Sequence, residues 1–279
     1  MPARVTRTAI VLAAGAVIAA VALYFAAQGV RRLTAPSPPA PGCSANIGGP
    51  YPLGFDQAGI AATIAAIADR RHLPERAVTI AYAAALQESD LEDLAYGDRD
   101  SVGVFQQRPS QGWGTTAQIE DPVYATNRFF QALVQIPRYD KIPVAKAAQA
   151  VQHSADGSAY GQYAYLGGQL ADDFSGRQPH QVTCWYTPAA TAKPDLTGVS
   201  AAMHAAFGPQ LRATATRHTL QVKPGSGEAW TVASWLVAHA QQYQLRQVRY
   251  ASYVWKAANG SMGWQRNTAS TTVNNLVAS

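Results

Sequence analysis

The sequence predicts an α+β protein in three parts: an N-terminal transmembrane helix, a mainly α-helical middle domain and a small C-terminal α/β domain. Three observations predict it. Residues 9–27 are apolar or Gly without interruption. Segments between 56 and 174 carry apolar residues at helical spacing. Beyond residue 210 the pattern changes to short, aromatic, β-prone runs around one helix. Across 279 residues, 48% are hydrophobic and 14% charged, which excludes a disordered or collagen-like chain.

The first run, AIVLAAGAVIAAVALYFAA, is 19 residues long, enough to cross a hydrocarbon core. Arg4 and Arg7 precede it, and Arg31 and Arg32 follow. A removable signal peptide has a shorter apolar core and a small-x-small cleavage site. Here the run closes on Leu23, Tyr24 and Phe25, and only Ala27-Gln28-Gly29 offers a passable site. Residues 1–32 therefore read as a retained signal anchor, with cleavage as the alternative. The flanking Arg counts tie, so orientation rests on the short N-terminal tail, which leaves the bulk of the chain to be exported. The expected location is the cell membrane, single-pass, with most of the chain extracytoplasmic. Residues 33–42 follow as a Pro-rich spacer, APSPPAPG at its core, extended and semi-rigid.

The charge is unevenly spread: +4 over 1–42, −5 over 43–209 and +6 over 210–279. Cys43 and Cys184 bracket the acidic middle. In an exported chain such a pair is most simply a disulfide. It would close a loop of about 140 residues, worth roughly 4–5 kcal/mol in the chain-entropy model. Two unrelated buried thiols, or a lipidated Cys43, are the other readings.

In the middle, DQAGIAATIAAIADR (56–70) places Ile60, Ile64 and Ile67 on one helical face behind Asp56 as N-cap. A second helix starts after Leu73, with Pro74 and Glu75 in its first turn and a face of Ala77, Ile80, Ala81, Ala84 and Ala85. Residues 97–114 break the period with Gly, Asp, Ser and Pro and read as a loop. Helices resume at 121–136, behind Asp121-Pro122, and at 143–155. Residues 159–174 start as a helix that Gly167-Gly168 is expected to break.

Glu88 lies at the end of the Ala-rich helix, one turn from Ala84 and Ala85. A carboxyl against an apolar wall loses hydration, which disfavours its charged form and suits a general acid. An exposed helix-end Glu is the plain alternative. The neighbourhood weighs against it, since a loop rich in Gly, Gln, Arg and Trp follows within 25 residues.

Glu88-Ser89 followed by Gly103-Val104-Phe105-Gln106 resembles the E-S…G-L-M-Q signature of the soluble lytic transglycosylase and goose-type lysozyme-like families. The stretch 96–114 with DPVYAT (121–126) resembles a lysozyme-like domain recurrent in exported proteins of high-GC Gram-positive bacteria. The resemblance covers roughly 43–185. It implies a lysozyme-like fold, peptidoglycan as partner and no cofactor. It makes Glu88 the catalytic acid/base, and it casts Ser89 and Gln106 as residues that position the sugar or hold that Glu. Two departures stand out. Phe105 replaces the Met before the Gln, and the family's A-Y-N-A-G stretch finds no match in AVQHSADGSAY (150–160), where Gln152 and His153 are the candidate substitutes.

Asp98 and Asp100 are candidates for a second carboxylate, because inverting hydrolysis needs a base some 6.5–9.5 Å from the acid. The competing reading makes Asp98, Arg99 and Asp100 a structural turn. With one carboxyl alone, the C6 hydroxyl of the muramic sugar can act as nucleophile and give an anhydro product. Trp113 is the aromatic put forward to stack on a sugar; Phe105, Tyr96 and Tyr124 read as core. Arg108 either binds a peptide-stem carboxylate or pairs with the local acids.

The six His form no H-x-x-x-H or H-E-x-x-H pair, so no metal site is expected. There is no phosphate-cradling Gly motif, and export argues against nucleic acid. Residues 186–209 read as a Thr/Ala/Pro-rich linker. In 210–279 a strand and turn precede a helix from 228, then β-prone 247–257. Its Trp pattern resembles an uncharacterised module of similar exported proteins, with Trp230 and Trp235 expected in the core. Its charge suggests contact with anionic wall polymers or lipid headgroups. Two functions are open: membrane-anchored cleavage of peptidoglycan glycan strands, and a non-catalytic wall-binding or scaffold role on the same fold.

Overall fold

A computed structural model describes residues 40–153, 158–267 and 273–279. The apolar run 9–27 and the spacer up to residue 39 lie outside the described residues. Among the described residues no helix is long and apolar enough to cross a membrane. The described fold is α+β, and Ala40–Ser279 is a compact unit by itself.

The chain enters through a hairpin, β1 (Gly42–Asn46) and β2 (Pro50–Leu53). β3 (Thr183–Trp185) joins the other edge of β1 and sets Cys43 opposite Cys184. The two cysteines are bonded and fully buried. The bridge anticipated from their positions is thus present, on a small sheet that the helical periodicity gave no hint of.

α1 (Phe55–Arg70) and α2 (Glu75–Ser89) form the centre of the helical part. The Ala face of α2 is buried along its length, and small side chains let neighbours approach closely. α3 (Thr116–Ile119), α4 (Pro122–Leu133) and α5 (Val144–Gln152) follow, and Asp121 caps α4 by accepting from Val123 N at 2.9 Å. α6 (Ala164–Phe174) runs unbroken through Gly167-Gly168, contrary to the expected break. The reason is packing: a Cβ on Gly167 would lie 3.0 Å from Thr79 O of α2, so the glycine is what allows α6 to lie against α2.

The stretch read as a linker contains a helix, α7 (Leu196–Phe207). Asp195 caps it by accepting from Gly198 N at 2.8 Å, and Leu196, Val199, Met203 and Phe207 are buried. A helical apolar stripe therefore outweighs the Thr/Ala/Pro composition around it.

The C-terminal region is a six-stranded antiparallel sheet in the order β4-β5-β9-β6-β7-β8. Its strands are β4 (Arg212–Ala215), β5 (Leu220–Lys223), β6 (Gln247–Ala251), β7 (Tyr253–Lys256), β8 (Gln265–Arg266) and β9 (Val273–Ala278). α8 (Ala229–Ala238) packs between this sheet and α1. Trp235 is buried as expected, whereas Trp230 is half-buried among Tyr250, Tyr253 and Trp264. Trp255 Nε1 donates to Cys184 O at 2.9 Å, and Tyr186 Oη donates to Ala240 O at 2.7 Å. The helical part and the sheet therefore share one continuous core, with no packing break between 185 and 210.

Candidate active site

Glu88 is the second-last residue of α2. The helix stops there because Asp90 and Leu91 adopt left-handed φ values of 55° and 62°, turning the chain into the loop that follows. Ser89 Oγ lies 2.7 Å from Val104 O and accepts from Glu92 N at 3.2 Å. Ser89 is 8% exposed and faces inward, and its hydrogen bonds fasten the helix end to the loop.

The loop is held by its glycines and glutamines. Gly103 has φ 77°, donates to Leu94 O at 2.7 Å, and a Cβ there would fall 2.5 Å from Ile119 O. Gln106 folds back to donate to Tyr96 O and Gly103 O, at 3.2 Å each. It shapes the loop from inside. Gln107 is buried and donates to Ala125 O at 3.3 Å. Phe105 stacks on Phe129 with centroids 4.5 Å apart, an apolar contact that explains an aromatic in the Met place of the signature.

Two donors meet Glu88 Oε1. Tyr160 Oη donates at 2.6 Å and Gln152 Nε2 at 3.1 Å. The same Gln152 amide donates its other hydrogen to Phe105 O at 2.7 Å, tying the carboxylate to the loop. Both donors come from 150–160, the stretch without the A-Y-N-A-G match. Gln152 holds Glu88, as one candidate substitute; Tyr160, buried at 2% exposure, was not anticipated. His153 turns away at φ 53° and lines a separate groove. Glu88 Oε2 makes no hydrogen bond among the described residues.

The second carboxylates are differently placed. Asp100 accepts from Arg108 Nε and Ser110 N, both at 2.7 Å, and from Ser110 Oγ at 3.0 Å. The Ser110 N–H, and then Arg108, hold its carboxyl well below the usual carboxylate range. Such a group is a poor base. Arg108 is accordingly the ion-pair partner of Asp100. Asp98 projects into solvent, its side chain 90% exposed beside Arg99, and its carbonyl accepts from Ser101 N in a turn.

Trp113 is half-buried beside a groove of about 410 Å³ that Gly112, Arg128 and His153 also line. Arg128 Nε and Tyr124 Oη hold Trp113 O at 3.3 and 3.2 Å, which fixes this stretch of loop. Because His153 directly follows Gln152, the groove and the Glu88 carboxylate share the end of α5. A second cavity, of about 800 Å³, lies at the seam of α1 and α8 and contains none of these residues. Among the described residues no group of three or more His, Cys, Asp and Glu side chains is gathered as a metal site requires. No protein-family model and no curated protein sequence matches the chain.

Proposed function

We propose that this protein cleaves the glycan strands of peptidoglycan, with Glu88 as general acid and then base, held near the membrane by the apolar run 9–27. The observation that carries the reading is the two-donor grip on one carboxylate oxygen. Tyr160 and Gln152 fix Oε1, and the opposite oxygen remains open at the head of a loop bearing Trp113. A fixed acid with one open oxygen is what protonation of a leaving glycosidic oxygen requires.

The engagement of Asp100 favours a one-carboxylate route. Glu88 gives its proton to the leaving oxygen as the C1–O bond breaks. The resulting carboxylate then takes the proton of the C6 hydroxyl as that oxygen bonds to C1, which closes an anhydro ring. Water is neither consumed nor released, and Glu88 ends protonated, as it began.

Mass analysis of muropeptides after digestion with Ala40–Ser279 tests this. Anhydro ends, absent with Glu88→Gln, are the expected result. Reducing ends would replace the one-carboxylate route by hydrolysis. No products from either protein would leave a wall-binding scaffold.

A further inference from the structure

The register of the C-terminal sheet sorts its cations onto one face. The pairs Arg212↔Lys223, Gln221↔Val277, Arg249↔Val277, Arg249↔Val254 and Gln247↔Lys256 place all these residues on the same side. Side chains alternate along a strand, so Leu220, Val222, Val248, Trp255, Leu276 and Ala278 point the other way, and these are the buried ones. α8 covers that buried side. Among the described residues the outer face carries no acid, and Arg212, Lys223 and Lys256 on it are exposed, with Arg249 half-buried between them. Glu228, the one acid of 210–279, accepts from Gly225 N at the start of α8.

Along this face the cations run diagonally. Arg212 and Lys223 stand at one corner on β4 and β5, Arg249 is central on β6, and Lys256 is at the far corner on β7. With strands about 4.8 Å apart and a rise of about 3.4 Å per residue, the stripe is roughly 23 Å long. None of the four forms an ion pair or a side-chain hydrogen bond among the described residues, and Arg249 Nε is buried without a partner. Of the remaining cations of 210–279, Arg246 donates to Ala189 O and Ala192 O, both at 2.9 Å, Arg266 lies over the Tyr253 ring, and Arg217 is exposed in the turn between β4 and β5.

We infer that this face is a docking track for a linear anionic polymer of the cell envelope, bearing phosphate at intervals. The stripe is one cation wide and flanked by Thr214, Gln221 and Gln265. A bilayer would be met over the whole face, and the aromatic and large apolar anchors that grip an interface are missing from it. The inference stands apart from the glycosidase reading and is decided by binding alone.

The test uses Ala40–Ser279 with a short inorganic polyphosphate as probe, followed by titration at two salt concentrations. Changing Arg212, Lys223, Arg249 and Lys256 to Gln should weaken binding at least ~10-fold and flatten the salt dependence, because fewer phosphates are neutralised. A control removing equal charge elsewhere, Arg138, Lys141, Lys146 and Lys193 to Gln, should bind like the parent. If the fourfold variant melts early, the exposed pair Lys223→Gln and Lys256→Gln should still weaken binding several-fold. Three results would overturn the inference: undiminished binding by the face variants, equal loss in the control, or binding to phosphatidylglycerol vesicles without binding to polyphosphate.

Discussion

Tyr160 Oη donates to Glu88 Oε1 at 2.6 Å, across 72 residues of sequence. The phenol is buried, so the bond is shielded from competition by water and holds the carboxylate in one rotamer. This is the firmest contact the candidate acid makes, and it sets the terms for what mutation should do.

Glu88→Gln should abolish cleavage and leave the fold unchanged. The amide still accepts from Tyr160 but has no proton to give a leaving oxygen. Loss of general acid–base help is typically worth ~10²–10⁴-fold. A mutant turning over peptidoglycan at near-parental rate would remove Glu88 from the mechanism.

Tyr160→Phe keeps the ring in its buried place and removes one donor. Activity should fall roughly 10–100-fold, because a loosened acid spends less time aligned. The thermal midpoint should move little, since the core contact survives. Gln152→Ala should be worse for stability, because it also frees Phe105 O. A Tyr160→Phe enzyme with parental kinetics would show that Gln152 alone positions the acid.

Asp100→Asn addresses the second carboxylate. Asp100 is engaged by Arg108 and Ser110, and the amide oxygen can still accept from either. The rate should stay within ~10-fold, below the ~10²–10⁴-fold that loss of a catalytic base brings. A collapse of rate in a folded mutant would restore Asp100 as the base.

The helices of this fold are legible because a 3.6-residue period, an Asp121-Pro122 start and an Ala face are local signals. The loop 97–114 is legible for the same reason, and so is the pairing of two lone cysteines. What the sequence hides is long-range. Tyr160 belongs to a Gly- and Ser-rich stretch whose direction is set only when the 3₁₀ turn Ser158–Tyr163 packs on α2. The union of the two regions rests on Trp255 reaching Cys184 O and Tyr186 reaching Ala240 O, contacts of 71 and 54 residues' separation. The side chains of Ser89 and Gln106 serve the loop, which becomes visible only once their hydrogen-bond partners are seen.

The Cys43–Cys184 bridge ties the entry strand to the strand on which Trp255 rests. Changing both to Ser should cost about 2–5 kcal/mol, the usual loss for a native disulfide. For a chain of this size that is roughly a 5–15 °C fall in midpoint. Reductant should destabilise the parent and leave the double mutant unaffected. Two reactive thiols in the unreduced native protein would show that the bridge does not form.

Asp173 contributes to the pH dependence of stability. Its carboxyl is 1% exposed and accepts from Asn46 N at 2.7 Å. Burial pushes its pKa up to about 7; the Asn46 bond opposes the shift and Asp172 adds to it. A carboxyl in the unfolded chain titrates near 4, so between about 4 and 7 the folded state holds a proton that the unfolded state has released. Unfolding releases that proton, so the contribution of Asp173 to stability falls as pH rises through this window. Asp69 and Asp93, each raised to about 6 chiefly by burial, slope the same way, and His239, lowered to about 4 by burial, slopes the opposite way. Asp173→Asn keeps an acceptor for Asn46 and never ionises. It should match the parent near pH 4, exceed it increasingly above that, by an amount on the order of a few kcal/mol at pH 8, and retain only the slopes of Asp69, Asp93 and His239. Denaturant midpoints of the two proteins at pH 5, 6.5 and 8 check this, and parallel profiles would mean that Asp173 is ionised throughout.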